Sequence, residues 1–396
     1  MTATYHSPRA LPRGTILLLA ITSALGPVAM QILLPAIPQL GDSFAIDAAT
    51  AQLTLSLSMV SIAVATLFYG PLSDRYGRKP VILGGIVLTF IGSVLCSLAP
   101  TIETLIAGRI VQAAGGAVGL VVARAVVRDA YPADQAASMI STLVMFMVVM
   151  PMLSPAVGGE LLVRFDWHSV FWLVGGLSLV LLVLLLFRLP ETLREPVPFT
   201  GLGSMFRGFA MLLRSRVFRG YAFSLAFISV MFFSFIAAVP EIMIRVMNRP
   251  PNEYGYYFIM VPASFILGNN LSRMISRRKG PQWMTELGST LAITGIVLAL
   301  ALHLYGLLHP LALFMPIAVT TFGNGLSMPS AQAAAINEFP DRAGAASGLT
   351  GFLQMGFAAI AAQLVALIFN GTAYPLLILM LGAALLSHLC FRSSRA

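Results

Sequence analysis

Charge is what this chain has least of. Asp, Glu, Lys and Arg make up 10% of its 396 residues, and apolar residues make up 58%. Soluble domains carry about 25% charged and about 45–50% apolar residues. So few charges do not cover a water-soluble globule of this size, so the composition points to a polytopic membrane protein. Cysteine is nearly absent. Cys96 and Cys390 both fall in apolar runs, which argues against a disulfide framework or a cysteine metal cluster. The histidines, His6, His168, His303, His309 and His388, are scattered without metal-ligand spacing, and neither G-x-S-x-G nor a phosphate-binding loop occurs. No enzymatic activity, cofactor, metal site or ATP-driven pump is expected on this chain.

What the chain has in abundance is long apolar runs. The first, near 15–38, follows Arg9 and Arg13. It is too long for a signal peptide and lacks a small-x-small cleavage pattern, so it reads as a retained span. At about 20 apolar residues per span, further candidates lie near 51–71, 80–99, 102–126, 136–162 and 168–189. After a more polar stretch, six more lie near 220–243, 254–274, 283–306, 309–332, 344–369 and 372–391. The expected architecture is all-α, with twelve transmembrane helices in two pseudo-symmetric six-helix bundles. These are residues 1–190 and 220–396, joined by a cytoplasmic central loop over 191–219.

The basic residues orient the chain. With the N-terminus inside, the outer loops receive only Arg164, Arg245 and Arg249. Arg9, Arg13, Arg75, Arg78, Lys79, Arg194, Arg207, Arg214, Arg277, Arg395 and the other loop cations fall on the cytoplasmic side, as the positive-inside rule requires. This explains the net charge of +9 without a nucleic-acid partner. Both termini are expected in the cytoplasm. "LSDRYGRKP" (72–80) after the second span is echoed by "LSRMISRRKGP" (271–281) after the eighth. Such repeated halves suit a transporter with a central site.

Gly70, Leu72, Asp74, Arg75, Gly77, Arg78 and Lys79 spell G-x-L-x-D-R-x-G-R-K between spans two and three. "GRIVQAAGG" (108–116), "ARAVVRD" (123–129), "PMLSPAVGG" (151–159), "DWHSVFW" (166–172) and "LPETL" (189–193) follow. Together they resemble the bicyclomycin-resistance (Bcr/CflA) branch of drug:proton antiporters in the major facilitator superfamily. The resemblance runs through the first half and more weakly through the second. It implies alternating access and proton-driven export of small drug-like molecules across the inner membrane. It also implies that Asp74 sits against the N-terminus of the eleventh helix and the flanking arginines as a conformational latch. A helix N-terminus, with about half a positive charge, suits that role.

Arg109 lies about seven residues into the fourth span, roughly 10 Å deep at 1.5 Å per residue. A cation there costs about 2.5–3.5 kcal/mol on insertion scales unless it faces water or a partner. The resemblance implies a part in proton coupling; the plainer alternative is a structural bond to backbone carbonyls or Gln112. Relatives carry an Asp in the first span where this chain reads "AMQILLPAIP" (29–38), with Gln31 in its place. An amide cannot carry a proton. It can still hydrogen-bond substrate or Arg109. Another acid must then serve, and Glu160, Glu241, Glu286 and Asp129 read first as rim charges or local ion pairs. Glu241, after Pro240, is preferred among them; with Gln31, Arg109, Gln112 and Arg124 it completes the expected coupling set. Pro151, Pro155, Gly158 and Gly159 fit the fifth-span antiporter signature, where small residues permit close helix approach. Met147, Phe227 and Phe232 are expected to line part of an adaptable apolar cavity.

The resulting expectation is a monomeric drug:proton antiporter that favours neutral or anionic cargo over dications. A metabolite exporter or facilitator without proton coupling is one alternative. A non-transporting scaffold or receptor is another.

Overall fold

A computed structural model describes residues 11–12, 14–193 and 202–394 of the chain. Arg9, Arg13, Arg194 and Arg395, which enter the charge count, lie outside them. The described residues form helices and no strands. In order these are α1 (Thr15–Gln31), α2 (Ile37–Phe44), α3 (Ala48–Tyr76), α4 (Arg78–Ser97), α5 (Ile102–Gly116), α6 (Val118–Ala130), α7 (Ala133–Arg164) and α8 (His168–Arg188). There follow α9 (Leu202–Leu212), α10 (Arg216–Glu241), α11 (Pro251–Phe258), α12 (Met260–Lys279), α13 (Pro281–Leu304), α14 (Pro310–Asn337), α15 (Ala343–Leu367) and α16 (Tyr374–Ser393).

Helix boundaries follow local chemistry. Pro35 and Pro38 supply no N–H, so α1 stops at Gln31, passes through a tight turn at Leu34–Ala36 and resumes as α2. The Asp47 side chain accepts the Thr50 N–H at 2.9 Å, capping the start of α3. Hydrogen bonding from Thr50 holds the Asp47 carboxyl below its usual range. Gly77 takes φ +104°, a conformation other residues resist, and lets α3 break sharply into α4. Past Pro240, α10 widens into a single π turn over Ile242–Val246.

Eleven helical stretches among the described residues are long and apolar enough to cross a membrane. They match eleven of the twelve expected spans. The eighth, expected near 254–274, is helical but divided between α11 and α12. Asn269, Asn270, Ser272 and Arg273 make α12 too polar to qualify on composition.

The chain packs as two compact units. The first comprises Met1–Gln31, Val64–Pro151 and His168–Phe199; the second comprises Ile32–Ala63, Met152–Trp167 and Thr200–Ala396. The division cuts across α3 and α7. The second unit thus holds the start of α3 and the close of α7, which lie at one end with Ala45, where Phe44 packs on Trp167 at 5.5 Å (the Ala45 end), together with α2 and every helix from α9 onward.

Within the first unit, α4 and α5 pack backbone to backbone. A Cβ on Gly92 would lie 2.3 Å from the Gln112 nitrogen and 2.6 Å from its Cα. No side chain can yield there, so the helices themselves must part. Gly84, on the same helix, faces open space. Gly92→Ala should therefore destabilise the protein by about 1–3 kcal/mol, whereas Gly84→Ala should be neutral. Thermal unfolding of the two variants in detergent checks the contrast.

Candidate functional site

At the centre of the first unit lies Arg109, 2% exposed. Its Nη1 donates to the Ala29 carbonyl at 2.9 Å and to Gln112 Oε1 at 2.5 Å. Gln112 Nε2 donates to Ser93 Oγ at 2.8 Å, and Ser93 Oγ donates to the Thr89 carbonyl at 2.8 Å. The guanidinium carbon lies 6.0 Å from the centre of the Phe171 ring. One cation thus touches α1, α5 and α8 directly and reaches α4 through an amide and a hydroxyl. These are dipoles and a π face, which solvate a cation. Gln31, buried at the end of α1, lies two residues beyond the carbonyl that Arg109 engages. Arg124, on α6, donates through Nη2 to Met147 Sδ at 3.5 Å. Its buried Nε finds no acceptor among the described residues.

The α3–α4 turn is built around Arg78. Its Nη1 pairs with Asp74 Oδ1 at 2.5 Å and its Nε with Asp129 Oδ2 at 2.8 Å. Nη1 also donates to Ser73 Oγ at 2.7 Å. The signature thereby ties α3 to the end of α6. Arg75 stacks its guanidinium 5.1 Å above the Tyr76 ring, and a Cβ on Gly70 would meet open space. Glu191, which the sequence reading did not single out, occupies the N-terminus of α4. Its Oε1 accepts the Arg78 N–H at 2.9 Å and its Oε2 the Lys79 N–H at 3.1 Å. Lys79 Nζ returns the contact at the Leu186 carbonyl, 2.9 Å away. A carboxylate at a helix N-terminus satisfies orphan N–H groups and complements the dipole. "LPETL" carried the only hint, an acid just past a helix end.

In the second unit, the Ala45 end of α7 meets its neighbours through small residues. A Cβ on Gly158 would lie 2.1 Å from the Ile32 carbonyl oxygen, and one on Gly159 would lie 2.6 Å from Asn252 Cα. Pro151 and Pro155 belong to the same helix, and the Pro155 carbonyl would crowd a Cβ on Gly255 at 2.6 Å. Glu160 accepts from Asn252 Nδ2 at 3.1 Å and from the Tyr256 hydroxyl.

The four membrane-edge carboxylates all sit in ion pairs: Asp129 with Arg78 (2.8 Å), Glu160 with Arg164 (3.5 Å), Glu241 with Arg245 (3.0 Å) and Glu286 with Arg392 (3.7 Å). Arg245 also reaches Asp42 Oδ1 at 2.6 Å. Of the apolar cavity residues, Phe227 stacks edge-on against Phe357 at 5.5 Å, whereas Phe232 contacts Phe233 and Phe258. The two therefore belong to different aromatic groups. Beside the first group runs an amide network absent from the sequence reading. Ser229 Oγ donates to Gln354 Oε1 (3.4 Å), Gln354 to Gln332 (3.4 Å) and Gln332 to Thr350 Oγ1 (3.0 Å).

Residues 19–363 match the family described as Major Facilitator Superfamily. The chain is 30% identical over 393 residues to the uncharacterized MFS-type transporter YdgK of Bacillus subtilis, covering 98% of this chain and 96% of that one. It is 27% identical to the bicyclomycin resistance protein homolog of Haemophilus influenzae (95% and 94% covered). It is 28% identical to multidrug resistance protein D of Escherichia coli K12 (95% and 94% covered). In fold it is similar to a bacterial homolog of the human lysosomal transporter Spinster (TM-score 0.77, 17% identity, 96% of each chain). The peptide transporter POT is similar to the same degree (TM-score 0.77, 16% identity, 98% and 97% covered).

The Glu191 cap yields a direct test. Glu191→Ala leaves the Arg78 and Lys79 N–H groups without their acceptor, a loss of about 1 kcal/mol for a helix cap. Limited trypsin digestion of the detergent-solubilised protein should then cut faster at Arg75 and Arg78, with Glu191→Gln intermediate.

Proposed function

The chain belongs to the Major Facilitator Superfamily, a transporter and not an enzyme, and on that premise we propose that it exports small amphipathic, drug-like compounds by alternating access as a drug:proton antiporter of the bacterial inner membrane. Similarity to proteins named for bicyclomycin and multidrug resistance, spread over 95% of the chain, supports this cargo class. The observation that carries the mechanism is Arg109: a guanidinium buried in a membrane helix and bonded to the α1 backbone. Such a residue is costly enough to mark a functional centre by default.

In this reading the polypeptide is a monomer of two six-helix halves, 1–190 and 220–396, linked through 191–219. The Gly77 turn and both termini face the cytoplasm, because the basic residues gather there, and the Ala45 end faces outward. Gly70, Asp74, Arg75, Gly77, Arg78 and Lys79 act as the inner latch. Arg109, with Gln112, Arg124 and Gln31, forms the core of coupling. Since Gln31 cannot ionise, Glu241 is the carboxylate proposed for proton exchange. Pro151, Pro155, Gly158 and Gly159 let the fifth span pack closely, and Met147, Phe227 and Phe232 contribute apolar surface to cargo. Without an acid at residue 31, neutral and anionic compounds are preferred to dications.

The neutral Gln31 also favours a second reading, a metabolite exporter or facilitator without proton coupling. Substrate-induced proton movement in reconstituted vesicles separates the two.

Expression in an efflux-deficient bacterium should raise resistance to a neutral antibiotic more than to a lipophilic dication. Arg109→Ala should return resistance to the vector level while the protein still accumulates in the membrane. Stronger protection against the dication would overturn the charge preference, and intact export in Arg109→Ala would remove Arg109 from the mechanism.

A further inference from the structure

We propose that the turn between α12 and α13 holds the headgroup of an anionic phospholipid. Arg273, Arg278 and Lys279 supply the positive charge, and the exposed side of α12 supplies a track for an acyl chain. The transporter reading above enters only in placing this turn at the cytoplasmic leaflet; the lipid site itself does not depend on cargo.

The two copies of the sequence repeat differ in where their charge goes. "LSDRYGRKP" (72–80) holds three cations and one acid, whereas "LSRMISRRKGP" (271–281) holds four cations and no acid. In the first copy the protein takes up the charge itself. Arg78 lies between Asp74 and Asp129, Lys79 donates to the Leu186 carbonyl, and Glu191 caps the start of α4. In the second copy Arg273, Arg278 and Lys279 are all exposed, and no carboxylate among the described residues lies within ion-pair distance of them. Glu286, the next acid along α13, faces Arg392 at 3.7 Å. Both corners turn on a glycine, Gly77 at φ +104° and Gly280 at φ +82°. Yet no side chain caps α13, and its first turn holds no acid. The second corner keeps the cations and dispenses with the carboxylate.

Three features select a lipid over a soluble anion. Leu267, Leu271, Met274 and Arg278 follow one another at helical spacing along α12, the first three being 62%, 37% and 73% exposed. An apolar lane ending in a guanidinium has the layout of an acyl chain below a phosphate, and a guanidinium fork matches phosphate oxygens. Ser272 is buried and donates to the Leu326 carbonyl at 2.9 Å, which pins another face of α12 to α14 and leaves the lane outward. Trp283 is 41% exposed at the start of α13, with Lys279 Nζ 5.8 Å from its ring centre. Tryptophan favours headgroup depth. Cations in a last helical turn complement its dipole, but that role requires neither the apolar lane nor the tryptophan.

The test reads Trp283 fluorescence in the full chain, reconstituted in vesicles of phosphatidylcholine and phosphatidylglycerol in equal parts. One lipid or the other carries bromine on its acyl chains, which quenches a tryptophan in contact with it. The share due to Trp283 is the quenching lost in Trp283→Phe. Phosphatidylglycerol should be favoured about fivefold at this site, the contribution of one cation near an anionic membrane surface. Arg273→Gln with Arg278→Gln and Lys279→Gln should bring the ratio to about one. Arg214→Gln with Arg216→Gln and Arg219→Gln, on a different cytoplasmic segment, should leave it unchanged. If the first triple variant does not accumulate, high salt should abolish the preference in the parent, because exposed charges are screened. Equal quenching by the two lipids, or a preference that survives loss of the three cations or high salt, overturns the site. So does loss of the preference on adding inorganic phosphate at constant ionic strength, which would assign the cations to a soluble anion. The expected ratio in a protein that exports nothing upholds the lipid site and rejects only the cargo assignment; export with a ratio of one does the reverse.

Discussion

Lipid gives a charge nothing to bond to, and that constraint organises this molecule. Acidic side chains gather near helix ends, where headgroups and water remain within reach, and each of the four at the membrane edge takes an arginine. Arg109 is different. It is buried among a carbonyl, an amide and an aromatic ring, which solvate its positive charge locally. Any group whose charge changes nearby will feel a field that water does not screen. The first unit is arranged to hold that cation still: Gln112 is pressed against Gly92, and Ser93 fixes the amide from the adjoining position.

Close backbone approach is the second theme. Membrane helices lack a hydrophobic drive toward one another, so packing and hydrogen bonds must hold them together. Glycine at the contact provides both intimacy and, where no side chain interlocks, an easy parting surface. The α4–α5 contact at Gly92 is braced by the Arg109 network, and the α7 contact at Gly159 by Asn252 and Tyr256, which donate to Glu160. The same residue type therefore brings backbones together in both units, and polar side chains beside it fix each contact.

Much of the fold was legible because apolar runs of span length have few alternative fates. The exception, α12, shows the limit of composition, since Asn269 and Asn270 lower its hydropathy without preventing a helix. The break in the first span at Gln31 was written in Pro35 and Pro38, but an uninterrupted apolar run concealed it. Local partnerships were readable too: Asp74 and Arg78 are four residues apart across the Gly77 break, and Arg109 and Gln112 are one helical turn apart. What the sequence concealed were pairs joined only by folding. Glu191 meets Arg78 across 113 residues and Arg245 meets Asp42 across 203. No periodicity or spacing encodes such contacts in a single chain, and neither Asp42 nor Glu191 stands out among loop charges.

The Glu191 staple has a mechanical corollary. Glu191, just past the end of α8, grips the opening turn of α4 while also receiving its own Thr192 and Leu193 N–H groups. The chain just after α8 is thus moored to the α3–α4 corner. Any displacement of the chain at Glu191 would be felt by the loop that carries Asp74 and Arg78 as directly as by α8, which it follows.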